Sequence, residues 1–93
     1  MTVLQASAAE HLPPPPDGER RQMILRLARN VAAARQRAGL TQHQLAQAAD
    51  LSRATVHLIE AGACDPKLST VTSLANALGR TALSLFDEQP QDR

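Results

Sequence analysis

Aromatic side chains are nearly absent from this 93-residue chain: it has no tryptophan or tyrosine, and Phe86 stands alone. A core must therefore be assembled from leucine, isoleucine, valine and alanine. Small residues of that kind fill space only where backbones approach closely, as packed helices do. Valine, isoleucine and threonine are too scattered to give alternating strands, so the pattern predicts an all-α fold. Cysteine is equally scarce. Cys64 has no second thiol, which excludes an internal disulfide and leaves a structural zinc site without thiolates, so neither metal nor cofactor is expected. One cysteine also fits a reducing, cytoplasmic setting. No apolar run approaches the roughly 18 residues of a membrane span, and the N-terminus lacks the basic start and long apolar core of a signal peptide. Catalytic constellations are missing too. His11, His43 and His57 are dispersed, Cys64 has no base beside it, and there is no glycine-rich phosphate loop or carboxylate pair. An enzyme is not expected.

What is present is unevenly distributed. Residues 1–18 show no sustained period and include Pro13 to Pro16, which fix φ and remove backbone donors; they read as a flexible, proline-rich tail, extended at the prolines. Residues 88–93 are polar, contain Pro90 and read as a second, fraying tail. The domain between them, residues 19–87, has roughly 70 residues with which to bury a core, near the lower limit for folding alone. Charge follows the same division. Residues 20–85 hold nine basic side chains against Asp50, Glu60 and Asp65, a net +6, whereas both termini are acidic. A basic body between acidic tails suits a polyanionic partner.

Periodicity and capping signals divide the body into five helices. Asp17 is placed to cap a first helix that begins near Glu19, carries Met23, Leu27, Val31 and Ala34 on its inner face, and ends at Gly39. Ile24 and Leu25 fall partly off that stripe. Thr41 to Gln44 form a capping box for a second, short helix that ends by Ala49. Asp50 occupies a sharp turn that calls for a left-handed residue, and Leu51 plugs the turn into the core. Ser52 caps a third helix running from Arg53 to about Ala61 and stopping at Gly62. Ser69 is placed to cap a fourth, with Val71, Leu74, Ala75 and Leu78 inward, and Thr81 a last turn that delivers Leu85 and Phe86 to the core.

The segment Thr41–Gly62 is the most informative in the chain. Two short helices around a tight turn, with Ala46 small at their crossing and an outer face of Arg, Ala, Thr and His on the second, suit a helix-turn-helix whose second helix enters the DNA major groove. The pattern Arg35-x3-Gly39-Leu40-Thr41-Gln42-x2-Leu45-Ala46, then Leu51-Ser52-x3-Val56-x2-Ile59-Glu60-x-Gly62, Pro66-x-Leu68 and Leu74-Ala75-x2-Leu78 resembles the Cro/repressor-type helix-turn-helix domain of phage repressors and xenobiotic-response-element regulators. The resemblance covers about Leu27 to Phe86 and implies a compact five-helix bundle of the lambda-repressor-like kind. It implies a salt bridge between Arg35 and Glu60 and a backbone-phosphate contact at Gln42. It places the base-reading positions at Arg53, Ala54, His57 and Leu58, with Thr55 a phosphate or capping contact. Arginine can donate to guanine O6 and N7, and alanine or leucine can touch a thymine methyl. Two departures stand out. Asp50 replaces the glycine common in the turn, and Lys67 is the only basic residue of a loop that is often richer in them, so phosphate contact there is lighter; Arg29 and Arg37 are the candidates to compensate.

The resemblance further implies a homodimer on a palindromic operator. The C-terminal segment from Arg80 to Phe86, with Leu83, Leu85 and Phe86, is the candidate dimer contact. Double-stranded DNA is the expected partner, and a transcriptional regulator, most simply a repressor, the expected role. A rival reading is an antitoxin that binds its operator while residues 1–18, which carry Val3, Leu4 and Leu12, engage a toxin protein. A module that uses this fold to bind protein instead of DNA is disfavoured by Arg53 and the basic body.

Overall fold

The computed structural model describes residues 17–88; the readings of the proline-rich segment Pro13–Pro16, of a toxin-binding role for the N-terminal tail and of fraying beyond Glu88 fall outside the described residues. The described chain is all-helical. It comprises α1 (Asp17–Arg37), α2 (Gln42–Ala49), α3 (Arg53–Glu60), α4 (Leu68–Leu78) and a 3-10 turn, Leu83–Phe86. The fifth helix predicted from the sequence is thus a single 3-10 turn. Four residues suffice to bring Leu85 inward, and Thr81 holds the turn by accepting the Ser84 N–H on its side-chain oxygen at 3.2 Å.

Leu27 and Val31 of α1, Leu45, Ala46 and Ala49 of α2, Val56 and Ile59 of α3, Val71, Leu74 and Ala75 of α4, and Leu85 form one buried cluster. α2 packs on α3 and α4, while α1 lies across α3, α4 and the 3-10 turn. Ala46 is fully buried in this cluster, and Leu40, Leu51 and Phe86 pack partly buried against it. Met23 does not join this core as its spacing suggests. It is 43% exposed and lines an open apolar groove with Ile24, Leu68 and Phe86.

All four helices stop in the same way. A residue one or two positions past the helix end turns left-handed, and the amide beyond it reaches back five residues: Leu40 to Arg35 at 3.1 Å, Leu51 to Ala46 at 2.8 Å, Ala63 to Leu58 at 3.0 Å and Arg80 to Ala75 at 2.8 Å. Glycine fills the left-handed position in three of these; Asp50, at φ 58° and ψ 46°, fills the fourth. Gly62 is constrained twice over, since a Cβ there would also lie 3.1 Å from Leu25 Cδ2.

The start signals resolve unevenly. Thr41 and Gln44 form the reciprocal box, with Gln44 N–H to Thr41 Oγ1 at 3.0 Å and Thr41 N–H to Gln44 Oε1 at 2.9 Å. Ser52 accepts the Thr55 N–H at 3.1 Å. α1 already includes Asp17, two residues before the predicted start, and α3 ends at Glu60 with Ala61 as its cap. Ser69 is not the cap of α4: Lys67 occupies that position, extended and without a side-chain bond, and Ser69 lies in the first turn, where its carbonyl accepts from Thr72 and Ser73.

Candidate nucleic-acid interface

α3 has two faces. Val56 and Ile59 are sealed in the core, which fixes the helix against rolling. Arg53, Ala54, His57 and Leu58 are all exposed, at spacings of one, three and one that keep them on a single side. Leu58 is 44% exposed, and Arg53 stands in the first turn, beside the Ser52 cap. The four side chains that the sequence singles out for base contact therefore share one surface of one helix. Thr55 is half-buried and its hydroxyl lies 2.8 Å from Ser52 Oγ, so it takes part in the cap.

The registry of that helix is set by a polar bridge beneath it. Arg35, near the end of α1, meets Glu60, the last residue of α3, through Nε–Oε2 at 2.7 Å and Nη2–Oε1 at 3.0 Å. The side chains are 15% and 7% exposed. Arg35 also donates Nη1 to the Leu40 carbonyl at 2.8 Å, which satisfies an acceptor in the turn between α1 and α2. The hydrogen bond with Glu60 raises the guanidinium pKa above its ordinary value, against the opposing pull of burial and with the carboxylate charge adding to the rise. Gln42, the first residue of α2, joins the network by donating Nε2 to Glu60 Oε1 at 3.1 Å. The resemblance alone did not point to that bond, and nothing in the spacing of Gln42 and Glu60 announces it.

Lys67 is exposed at the N-terminal end of α4. Arg29, offered from sequence as a compensating cation, is engaged elsewhere: its Nη2 donates to the carbonyls of Asp87 and Glu88. Arg37 lies in the last turn of α1. At the same end, Arg26 pairs with Glu88 at 3.4 Å and the buried Asn30 donates Nδ2 to the carbonyls of Leu85 and Asp87 at 2.9 and 2.8 Å. Asn30 was missed because it is polar, yet it stands three residues after Leu27 and four before Ala34, on the inner stripe, and that position is a signal.

Of the three residues read as a dimer contact, Leu85 is 1% exposed and belongs to the core, which removes it from any surface. Phe86 is half-buried against that core, and Leu83 is 83% exposed. Cys64 is half-buried; burial, and then the charge of Asp65, push its thiol pKa up. Among the described residues no group of His, Cys, Asp and Glu could hold a metal ion, and no helix is long and apolar enough to cross a membrane.

A family model described as a helix-turn-helix domain matches residues 26–87. Among solved structures, an HTH_3 family transcriptional regulator from Vibrio cholerae is 25% identical with a TM-score of 0.69, the match covering 76% of this chain and 40% of that one. A hypothetical transcription factor from Neisseria is 31% identical with a TM-score of 0.66, covering 86% of this chain and 88% of its own. The chain thus spans well under half of the Vibrio protein but aligns with nearly all of the Neisseria one. No curated protein matches.

Proposed function

Since the chain belongs to the helix-turn-helix domain family, we propose that it is a sequence-specific DNA-binding regulator of transcription, acting as a repressor on a palindromic operator. The observation that carries the reading is α3 itself, with Val56 and Ile59 locked inward and Arg53, Ala54, His57 and Leu58 presented together outward. In the major groove Arg53 would donate to a guanine edge, while Ala54 and Leu58 would meet thymine methyls. Gln42 and Lys67 would hold backbone phosphates, setting register without reading sequence. The +6 body supports the affinity that such contacts need.

One module of this size covers too few base pairs to define a genomic site, so we place two copies on DNA, with half-sites about 34 Å apart. Leu83, exposed and apolar, is the contact between them, with Phe86 at its side. Selection of bound sequences from a random duplex pool tests the whole reading. The expected result is an inverted repeat whose half-site centres lie one helical turn apart. Failure to enrich any sequence would overturn specific recognition, and enrichment of a single unrepeated half-site would overturn the dimer.

A further inference from the structure

Glu60 does more than pair with Arg35. Its Oε1 accepts from two directions, Arg35 Nη2 at 3.0 Å and Gln42 Nε2 at 3.1 Å, while Oε2 takes Arg35 Nε at 2.7 Å. A carboxylate can only accept, so the Gln42 atom facing it is nitrogen, and the usual ambiguity between amide oxygen and nitrogen is removed. The primary amide is planar and its two N–H bonds diverge by about 120°. Anchoring one of them therefore fixes the direction of the other.

The anchor is itself rigid. The Glu60 side chain is 7% exposed, both its oxygens are engaged, and Arg35 is tied in turn to the Leu40 carbonyl at 2.8 Å. The end of α1 and the start of α2 thus meet on one carboxylate at the end of α3, with the intervening turn tied to the same arginine. A glutamine at the first position of a helix is otherwise free to sample several rotamers, and would lose that freedom on meeting a ligand. Here the loss is taken on folding.

We propose that Glu60 is a positioning residue for nucleic-acid contact, holding the Gln42 amide so that its second N–H is presented to a backbone phosphate oxygen of bound DNA. The inference rests on the DNA-binding reading above. It makes the Arg35–Glu60 bridge part of the binding surface as well as of the fold, because the carboxylate that sets the end of α3 also aims the first side chain of α2.

The test combines two measurements on the full chain. Side-chain 15N relaxation of the free protein should show the Gln42 amide as rigid as the helix backbone, while the exposed Gln47 amide is mobile; a mobile Gln42 amide overturns the proposal. Affinity for an arbitrary 20-base-pair duplex is then measured for Gln42→Ala in three backgrounds: wild type, Arg35→Lys and Glu60→Gln. Gln42→Ala should weaken binding about tenfold in the wild type and in Arg35→Lys, which keeps the carboxylate, but less than twofold in Glu60→Gln. Equal losses in all three backgrounds, or no loss in the wild type, overturn the proposal while leaving DNA binding intact. If Glu60→Gln does not fold, the relaxation measurement and the Arg35→Lys comparison decide alone. Absence of binding to any duplex removes the DNA-binding reading, and the proposal falls with it.

Discussion

Arg35 and Glu60 meet as a two-pronged pair, Nε to Oε2 at 2.7 Å and Nη2 to Oε1 at 3.0 Å, joining the end of the first helix to the end of the third. Between them lies the whole helix-turn-helix. Removing charges of this kind from water costs nearly as much as their attraction returns, so the pair specifies geometry more than it adds net stability. The energetic signature is an asymmetry between single and double replacements. Arg35→Met alone leaves a mostly buried carboxylate without its main partner and should lower unfolding free energy by about 2–4 kcal/mol. Arg35→Met combined with Glu60→Leu should recover at least half of that loss. Urea unfolding followed by circular dichroism measures both, and a double variant no more stable than Arg35→Met alone would show the pair to be a plain stabiliser.

Asn30 fastens the C-terminal segment to α1. Its Nδ2 satisfies the carbonyls of Leu85 and Asp87, at 2.9 and 2.8 Å, in a place where water has little access. Asn30→Ala should cost about 1–3 kcal/mol, the penalty for taking its amide donor from the Leu85 carbonyl and leaving the Asp87 carbonyl to Arg29. Asn30→Asp should be worse at neutral pH, because a buried carboxylate would face two carbonyl oxygens. Its folded-state pKa would lie above the unfolded one, so the variant should lose stability as pH rises through the carboxyl range and regain it as pH falls. Denaturation midpoints at pH 4 and pH 7 separate the two variants, and an Asn30→Asp protein equally stable at both pH values would contradict the geometry.

These two sites show what local pattern could and could not reveal. The second and third helices were legible because their ends are written in short-range chemistry: Thr41 with Gln44, Ser52 with Thr55, and left-handed turns at Gly39, Asp50 and Gly62. Periodicity failed where burial depends on a distant segment. Met23 fits the inner stripe of α1 yet lies 43% exposed at the lip of a groove, whereas Asn30 breaks the hydrophobic pattern and is buried because a chain segment 55 residues later needs its donors. Ser69 is a good capping residue in the wrong place, since Lys67, with φ −67° and ψ 151°, already takes the extended backbone of the cap position. The outer face of α3 was legible because Val56 and Ile59 fix which side is inner; the Gln42–Glu60 bond was not, because it depends on where two helices end relative to each other.

Asp50 holds a backbone conformation, φ 58° and ψ 46°, that a side chain makes unfavourable. Its amide nevertheless completes the end of α2, and Leu51 N–H reaches Ala46 O at 2.8 Å, so the turn is fully formed despite the residue. Asp50→Gly should relieve the strain and stabilise the protein by about 0.5–1 kcal/mol, after the extra freedom of glycine in the unfolded chain is subtracted. Asp50→Ala should destabilise it. Thermal midpoints are the simplest measure: about 4–8 °C per kcal/mol is the expected scale for a domain of this size. If glycine fails to raise the midpoint, the aspartate is making a compensating interaction.

Leu83 and Leu85 are two residues apart and have opposite prospects. In a 3-10 turn each residue advances by about 120°, so positions 83 and 85 face different sides. Leu85 is 1% exposed and Leu83 83%. Leu85→Ala should therefore destabilise the monomer by about 2–5 kcal/mol. Leu83→Asp should leave the unfolding of a dilute sample nearly unchanged and act on association. Sedimentation at tens of micromolar should show the wild type above the 10.0 kDa of one chain and Leu83→Asp at that mass. A wild type that sediments as a monomer would sink the proposed contact.

Arg53 is the side chain on which sequence recognition should depend most. It stands exposed at the start of α3, and its guanidinium can donate two parallel bonds to a guanine edge, a geometry that lysine cannot reproduce. Because it contributes nothing to the core, Arg53→Ala should leave the unfolding curve unchanged while weakening the selected operator by about 1–3 kcal/mol. The loss should fall on the specific site and be much smaller on arbitrary duplex. Gln42→Ala should behave in the opposite way, weakening both alike while leaving the salt dependence of binding nearly unchanged, because a neutral amide releases no counterion. Paired titrations of the two variants on operator and arbitrary duplex, across several salt concentrations, separate reading from gripping. An Arg53→Ala protein whose specific and non-specific affinities fall in parallel would move Arg53 from the bases to the backbone, and leave His57 and Leu58 as the side chains that read sequence.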